Sequence, residues 1–232
     1  MKVAILSDIH GNVFALQSVL DSILNKGIDK LIIAGDFVGY YFWPKEMFRL
    51  LGDYEVIAIA GNHDKMLSKA KDDMEFLSKI SKKYGDGLSI ALHTLEKEKI
   101  EWLTSLPDTL EYETDEGRIL ICHGSPWEND EYVYPDSSDE SFDRYANLNV
   151  SWVIQGHTHY SMFKQIGNIT LINPGSVGQP RNKKPGAHWA LLDTKLNKVN
   201  FFCEQYDIKK VVEESRKRHP RIPYLANILE KE

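Results

Sequence analysis

Lys2-Val3-Ala4-Ile5-Leu6-Ser7-Asp8-Ile9-His10-Gly11-Asn12 is the stretch that decides the fold. Its first half is a short, β-rich apolar run ending in polar residues, the pattern of a buried strand. Asn12 then caps a helix: Val13, Leu16, Val19, Leu20, Ile23 and Leu24 recur at helical spacing, and Gly27 supplies the stop. Residues 30–34 and 55–60 are two further strands. Strand–helix–strand order belongs to an α/β sheet, and in open α/β sheets ligands collect at the carboxyl ends of the strands. Asp8 and His10 stand at such an end.

Further along, residues 64–84 predict one helix or two broken ones, and residues 96–106 another, stopped by Pro107. From Thr109 the pattern changes. Strands are expected over 109–113, 118–122, 152–155, 162–166, 170–172, 189–193 and 199–204, several separated by turn signals such as Asp115-Glu116-Gly117 and Gly167-Asn168. A charged helix follows Asp207 and breaks at Pro220. An α/β half joined to a strand-rich half predicts an α/β (α+β) fold of two sheets packed face to face with helices outside, in a single domain over residues 1–232.

Eight histidines are present, and five fall in short motifs at expected strand ends. These motifs are Asp8-Ile9-His10, Gly35-Asp36, Gly61-Asn62-His63-Asp64, Cys122-His123-Gly124 and Gly156-His157-Thr158-His159. Side chains alternate along a strand, so Asp8 and His10 point to one side and could clamp one ion. His157 and His159 share that spacing and could meet the first pair across the sheet. Asp36 offers a carboxylate able to bridge two ions, Asn62 an amide oxygen and His123 a further imidazole. Singly, each motif has an ordinary structural reading: Asp8 as a helix cap, Gly35-Asp36 as a turn, Asp64 as the cap of the next helix. Their conjunction points to a metal site. Mixed nitrogen and oxygen donors suit Mn, Fe, Zn, Co or Ni and exclude a thiolate-rich structural zinc site. Two ions ~3.5–4 Å apart would lower the pKa of a shared water and clamp the attacked and leaving oxygens.

The composition is that of an ordinary globular chain. The formal net charge is −6, so no global attraction draws it to nucleic acid or to anionic membranes. The apolar N-terminal run is too short for a signal peptide, and no stretch approaches a membrane span. Two cysteines, Cys122 and Cys203, are expected as free thiols in a reducing compartment. A cytoplasmic protein is expected.

The ordered pattern Asp-x-His, Gly-Asp, Gly-Asn-His-Asp, His and Gly-His-x-His resembles the ligand set of the calcineurin-like metallophosphoesterase superfamily. The resemblance runs from Lys2 to about Asp193, with one departure: Cys122 replaces the glycine before His123. It is greatest to small single-domain phosphodiesterase-like proteins of bacteria and archaea, which also carry a segment similar to Asn173-Pro174-Gly175-Ser176-Val177-Gly178-Gln179-Pro180-Arg181. The resemblance implies a four-layer αββα sandwich and two divalent metal ions. Asp8, His10 and His159 would bind the first, and Asn62, His123 and His157 the second, with Asp36 bridging. His63 would face substrate and Asp64 would orient it, with metal-bound hydroxide as nucleophile. A hydrolase of phosphodiesters or phosphomonoesters is expected, acting on a small phosphate ester such as a nucleotide. Two other classes are weighed beside it: a non-catalytic metal-binding scaffold on the same fold, and a metal-dependent nuclease, which the acidic charge disfavours.

Weaker features lie nearby. Tyr40-Tyr41-Phe42-Trp43 could form an aromatic wall that stacks on a nucleobase or aryl group, or could pack beneath a loop. Arg181 could reach a substrate phosphate, or be a surface residue in a turn. The loop over 125–143 is acidic and long enough to be functional, either covering the cleft or solvated away from it.

Overall fold

Strand β1 (Lys2–Leu6) pairs in parallel with β2 (Lys30–Ile33), which pairs in parallel with β3 (Val56–Ala58). The structure is a computed structural model that describes residues 1–182 and 184–231. Helix α1 (Val13–Ile23) connects β1 to β2, and the Asn12 side chain caps it by accepting the Ala15 N–H at 3.2 Å. Between β2 and β3 lies α2 (Pro44–Leu51), and after β3 come α3 (Asn62–Ala70), α4 (Met74–Tyr84), α5 (Gly87–Thr94) and α6 (Lys97–Ser105). Residues 64–84 therefore split into two helices. Asp73 makes the break, its side chain capping α4 through the Phe76 N–H at 2.8 Å. Helices α2 and α5 add to those expected from periodicity.

The strand-rich half supplies β4 (Thr109–Thr114), β5 (Gly117–Cys122), α7 (Asp139–Asp143), β6 (Trp152–Ile154), β7 (Ser161–Ile166), β8 (Ile169–Pro174), β9 (Ala187–Asp193) and β10 (Lys198–Glu204). The chain ends with α8 (Ile208–Arg218) and α9 (Tyr224–Asn227). Two mixed five-stranded sheets result, ordered β10-β9-β1-β2-β3 and β4-β5-β6-β8-β7. The division is not one sheet per half. β9 returns to pair antiparallel with β1, covering the edge that β1 would otherwise leave open.

Alternation in β1 sets the layers. Val3 and Ile5 join Ile32, Ile59, Ile119, Ile121, Trp152, Ile154 and Ile172 in the core between the sheets, while Ala4 and Leu6 face the cluster of helical side chains. Each fully buried aliphatic side chain contributes about 1.5–3 kcal/mol over its exposed state. The fourth layer is thin: Val133, Phe142 and Tyr145, from the 125–143 segment and the turn after it, cover Leu120, Val153 and Leu171. The C-terminal helices pack on Tyr40, Tyr41 and Phe42. Both cysteines are free, and no helix among the described residues is long and apolar enough to cross a membrane.

Candidate functional site

The parallel pairing of β1 and β2 continues past the strand ends. The Asp8 N–H donates to the Gly35 carbonyl at 3.0 Å, and the His10 N–H to the Asp36 carbonyl at 2.9 Å. Two loops thus run side by side, and both carry left-handed backbone. Asp8, His10, Asp36, His157 and His159 have φ of 54°, 51°, 57°, 65° and 62°. They are five of the six non-glycine residues with positive φ among the described residues. Strand alternation, which paired Asp8 with His10 in the sequence, is therefore not what aligns them: β1 ends at Leu6. Alternate residues in a left-handed conformation turn both side chains inward and send Ile9 into the core. Such backbone costs roughly 1–3 kcal/mol per residue and concentrates where function holds it.

Asp8, His10, Asp36 and His159 offer ligand atoms that all lie within 4.8 Å of one another, and all four residues are buried. Asn62, His123 and His157 gather beside them: the Asn62 Oδ1 is 3.1 Å from both His123 Nε2 and His157 Nδ1. Asp36 joins the two groups, its Oδ2 lying 3.6 Å from His10 Nε2 and 3.4 Å from His123 Nε2.

Hydrogen bonding behind the site fixes which nitrogens face in. The Nδ1–H groups of His10, His123 and His159 donate to the carbonyls of Val38, Ala34 and Gln179 at 3.2, 2.7 and 2.5 Å. Each ring, when neutral, then directs the lone pair of Nε2 at the centre. His10 Nε2 and His159 Nε2 face each other at 3.2 Å, and Asp8 Oδ1 lies 3.3 Å from His159 Nε2 with no hydrogen-bond partner among the described residues. Acceptors aimed at acceptors in a buried space repel unless a cation sits among them. The donor set therefore fits divalent metal.

The electrostatics follow from this crowding. Burial pushes the carboxyls of Asp8 and Asp36 up, but the neighbouring imidazoles outweigh it and hold both well below the usual carboxylate range. Burial lowers His10 well below its ordinary value and takes His157 to about 4, helped there by His123. His123 goes the other way. Burial opposes its charge, yet Asp36 and Asp8 push it up to about 9.

His63 is the second residue of helix α3, and its ring packs against His10, Tyr40 and Tyr84 at centroid distances of 4.9, 4.8 and 5.0 Å. Its backbone N–H donates to Asp36 Oδ1 at 2.8 Å. Burial lowers its pKa, against the pull of Asp36. The Asp64 side chain makes no hydrogen bond to this ring among the described residues. The Asp64 carboxylate is occupied by backbone donors instead: the N–H groups of Asp36 at 2.8 Å, Gly61 at 3.0 Å and Phe37 at 3.1 Å. As the third residue of α3, Asp64 caps that helix and ties it to the loop after β2. Burial, with Asp36 nearby, raises this carboxyl to about 7. His63 Nδ1 has no hydrogen-bond partner among the described residues.

Glycine is required where these parts touch. Gly39 has φ 142°, and a Cβ there would stand 2.7 Å from His10 Nδ1 and 2.8 Å from His63 Nδ1. At Gly61 a Cβ would collide with Asp36 Oδ1.

Of the weaker features, Tyr41 and Phe42 are buried packing residues, while Tyr40 lies edge-on to His10 at 4.6 Å and borders the site. Cys122 points away, into the outer cluster. The Arg181 N–H donates to the His159 carbonyl at 3.3 Å, which anchors this arginine beside the site. The 125–143 loop does lie over the site: the Tyr132 ring rests 4.2 Å from that of His157, and Asn129 Nδ2 donates to the Ala60 carbonyl at 2.8 Å. Tyr84, Tyr132, Tyr134 and Tyr160 border the site without having been singled out in the sequence. Only Tyr160, next to His159, had a local signal.

Comparison with known proteins agrees with this geometry. A model of the calcineurin-like phosphoesterase superfamily domain matches residues 1–197. An uncharacterised protein of Methanocaldococcus jannaschii is 33% identical, over 91% of this chain and 90% of that protein. The phosphodiesterase YfcE of Escherichia coli is 25% identical, over 91% of this chain and 97% of its own length. Among solved structures, a hypothetical protein of Pyrococcus horikoshii superposes with a TM-score of 0.86 at 25% identity, covering 98% of this chain and 97% of that one. A metallophosphoesterase of Sphaerobacter thermophilus superposes with a TM-score of 0.79 at 24% identity, covering 99% and 98%.

Proposed function

The chain belongs to the calcineurin-like phosphoesterase superfamily, and on that premise we propose that it hydrolyses small phosphate esters, diesters or monoesters, with a pair of divalent metal ions. The observation that carries this is the buried cage of ligand atoms: ring nitrogens of His10, His123 and His159 converge with oxygens of Asp8, Asp36 and Asn62, and the facing Nε2 atoms of His10 and His159 stand beside an Asp8 Oδ1 that no donor satisfies among the described residues. Asp8, His10 and His159 would hold one ion and Asn62, His123 and His157 the other, with Asp36 shared. When bound, such ions polarise phosphoryl oxygens and make a shared water acidic enough to attack at neutral pH.

The protein's own residues do the rest. Carbonyls of Val38, Ala34 and Gln179 lock three imidazoles in one tautomer, so the site needs no rearrangement to take its ligands. His63 stands beside the centre, held by its backbone bond to Asp36 and by flanking aromatic rings. There it would take up a proton from solvent once the substrate's phosphate anion lies beside it, hydrogen-bond to the phosphoryl oxygens where negative charge gathers, and give that proton to the departing oxygen. A P–O bond forms to water, which loses one proton to solvent, as the ester P–O bond breaks, and the alcohol leaves neutral with the proton from His63. Tyr40 and Arg181 border the approach and contact substrate. A cytoplasmic location accords with the two free thiols.

Hydrolysis of bis(p-nitrophenyl) phosphate with added Mn²⁺ tests the proposal. Asp36→Asn and His123→Ala should each abolish turnover. Turnover like wild type in either variant would sink it, and bound metal with no activity on any phosphate ester would favour a scaffold instead.

A further inference from the structure

Three tyrosine rings lead from the site to an open cleft. Tyr132 lies on His157 with centroids 4.2 Å apart. Tyr134 stacks nearly parallel to Tyr132, at 5.7 Å and 16°. Tyr160, directly after His159, meets Tyr134 edge to face at 5.9 Å and 74°. Tyr132 is 52% exposed and Tyr160 36%. Water therefore reaches rings that a folded core would bury, although two come from a loop anchored over the site.

Beside these rings is a cation with no pair among the described residues. Arg181 lines a cleft of about 560 Å³ together with Tyr134, Pro135, Asp136 and Tyr160. That volume is in the range of small-molecule sites. Arg181 makes no ion pair among the described residues, and its Nε is buried with no hydrogen-bond partner there. With no carboxylate on it, the part of the guanidinium that lines the cleft is free to receive an anion, and its planar fork matches phosphate oxygens.

From this juxtaposition we infer that the corner between Tyr134 and Tyr160 is a subsite for a nucleobase, and that the phosphate esters hydrolysed are nucleotides. A flat ring laid on either tyrosine meets the other at its edge, while the phosphate extends past Arg181 toward His159 and the centre. Stacking on tyrosine accepts any base, because every base has a π-face. Polynucleotides are disfavoured: Asp136 lines the cleft, and Glu128, Asp130, Glu131, Asp139 and Glu140 sit on the same segment. The nature of the reaction rests on the phosphoesterase proposal; the preference for a base rests on the rings.

Equilibrium titration of metal-loaded protein with AMP and with methyl β-ribofuranoside 5-phosphate isolates the base, since a methoxy group replaces adenine on the same fixed anomer. Phosphorus NMR follows the ligand, and where the active enzyme consumes it the whole series is titrated in a His63→Gln background, which leaves the tyrosines and Arg181 in place. AMP should bind about tenfold or more tightly than the methyl riboside phosphate. The ratio should fall toward one in Tyr134→Ala and Tyr160→Ala and persist in Tyr134→Phe, with metal content unchanged throughout. Arg181→Gln should weaken both ligands in equal proportion. Equal affinities in the wild type, or a ratio that survives both alanine variants, would overturn the inference. The two proposals fail separately. Base preference without hydrolysis of any ester removes the phosphoesterase proposal alone, and hydrolysis with equal affinities removes the subsite alone.

Discussion

Gly39→Ala should cost the protein its metal before it costs the fold. Gly39 has φ 142°, a region that only glycine occupies comfortably, so a side chain there costs roughly 1–3 kcal/mol in backbone strain. The new Cβ would also fall 2.7 Å from His10 Nδ1 and 2.8 Å from His63 Nδ1. His10 Nδ1 is the atom whose bond to the Val38 carbonyl aims Nε2 at the centre. Losing an orienting bond of this kind lowers metal affinity about 10–100-fold. Gly27→Ala is the matched control: φ is 62° and no atom lies within 4 Å of the new Cβ, so only the left-handed strain of about 1–2 kcal/mol remains. For a chain of this size 1 kcal/mol moves the melting point by roughly 2–4 °C. Calorimetric titration of EDTA-stripped protein with Mn²⁺, beside thermal unfolding, separates the two effects. Both variants should melt earlier, and only Gly39→Ala should lose metal affinity. Wild-type Mn²⁺ affinity in Gly39→Ala would refute the argument, as would an equal loss in Gly27→Ala.

Metal binding should release a proton. Asp36 and Asp8 hold the metal-free His123 imidazole protonated up to about pH 9, and a ligand must be neutral. Apparent affinity should therefore rise about tenfold per pH unit up to that point and level off above it. Titrations in buffers of different ionisation enthalpy would show about one proton released per chain at pH 7.5, and no release would contradict the charge assigned to His123. Asp64→Asn should destabilise the fold by about 1–3 kcal/mol, since an amide offers hydrogen to N–H groups that need an acceptor. Chemical denaturation measures this directly, and an unchanged midpoint would return Asp64 to a role at His63.

The strand-end chemistry was legible because the residue types are rare and fall in order. β1, α1, β2 and the hairpins were legible from periodicity and turn signals. What escaped has identifiable causes. Local pattern cannot say which sheet a strand joins, so the return of β9 to the edge of β1 was invisible. The inward turn of Asp8 and His10 looked like strand alternation because both geometries repeat every two residues; left-handed backbone is what produces it. Asp64 looked like a partner of His63 because it is adjacent in sequence. The helix start that places it third in α3 points its carboxylate back at the amides of the preceding loop instead. Tyr132 and Tyr134 sit in a segment whose sequence shows only acidity and length, and their position over His157 depends on how that segment is anchored.

The central claim is that one carboxylate, Asp36, joins two metal ions. Its most direct test is to load stripped protein with Mn²⁺, measure metal per chain and record the electron paramagnetic resonance spectrum. The account predicts two equivalents per chain and a spin-coupled spectrum that disappears in Asp36→Asn. A single equivalent with an uncoupled spectrum in the wild type would contradict it.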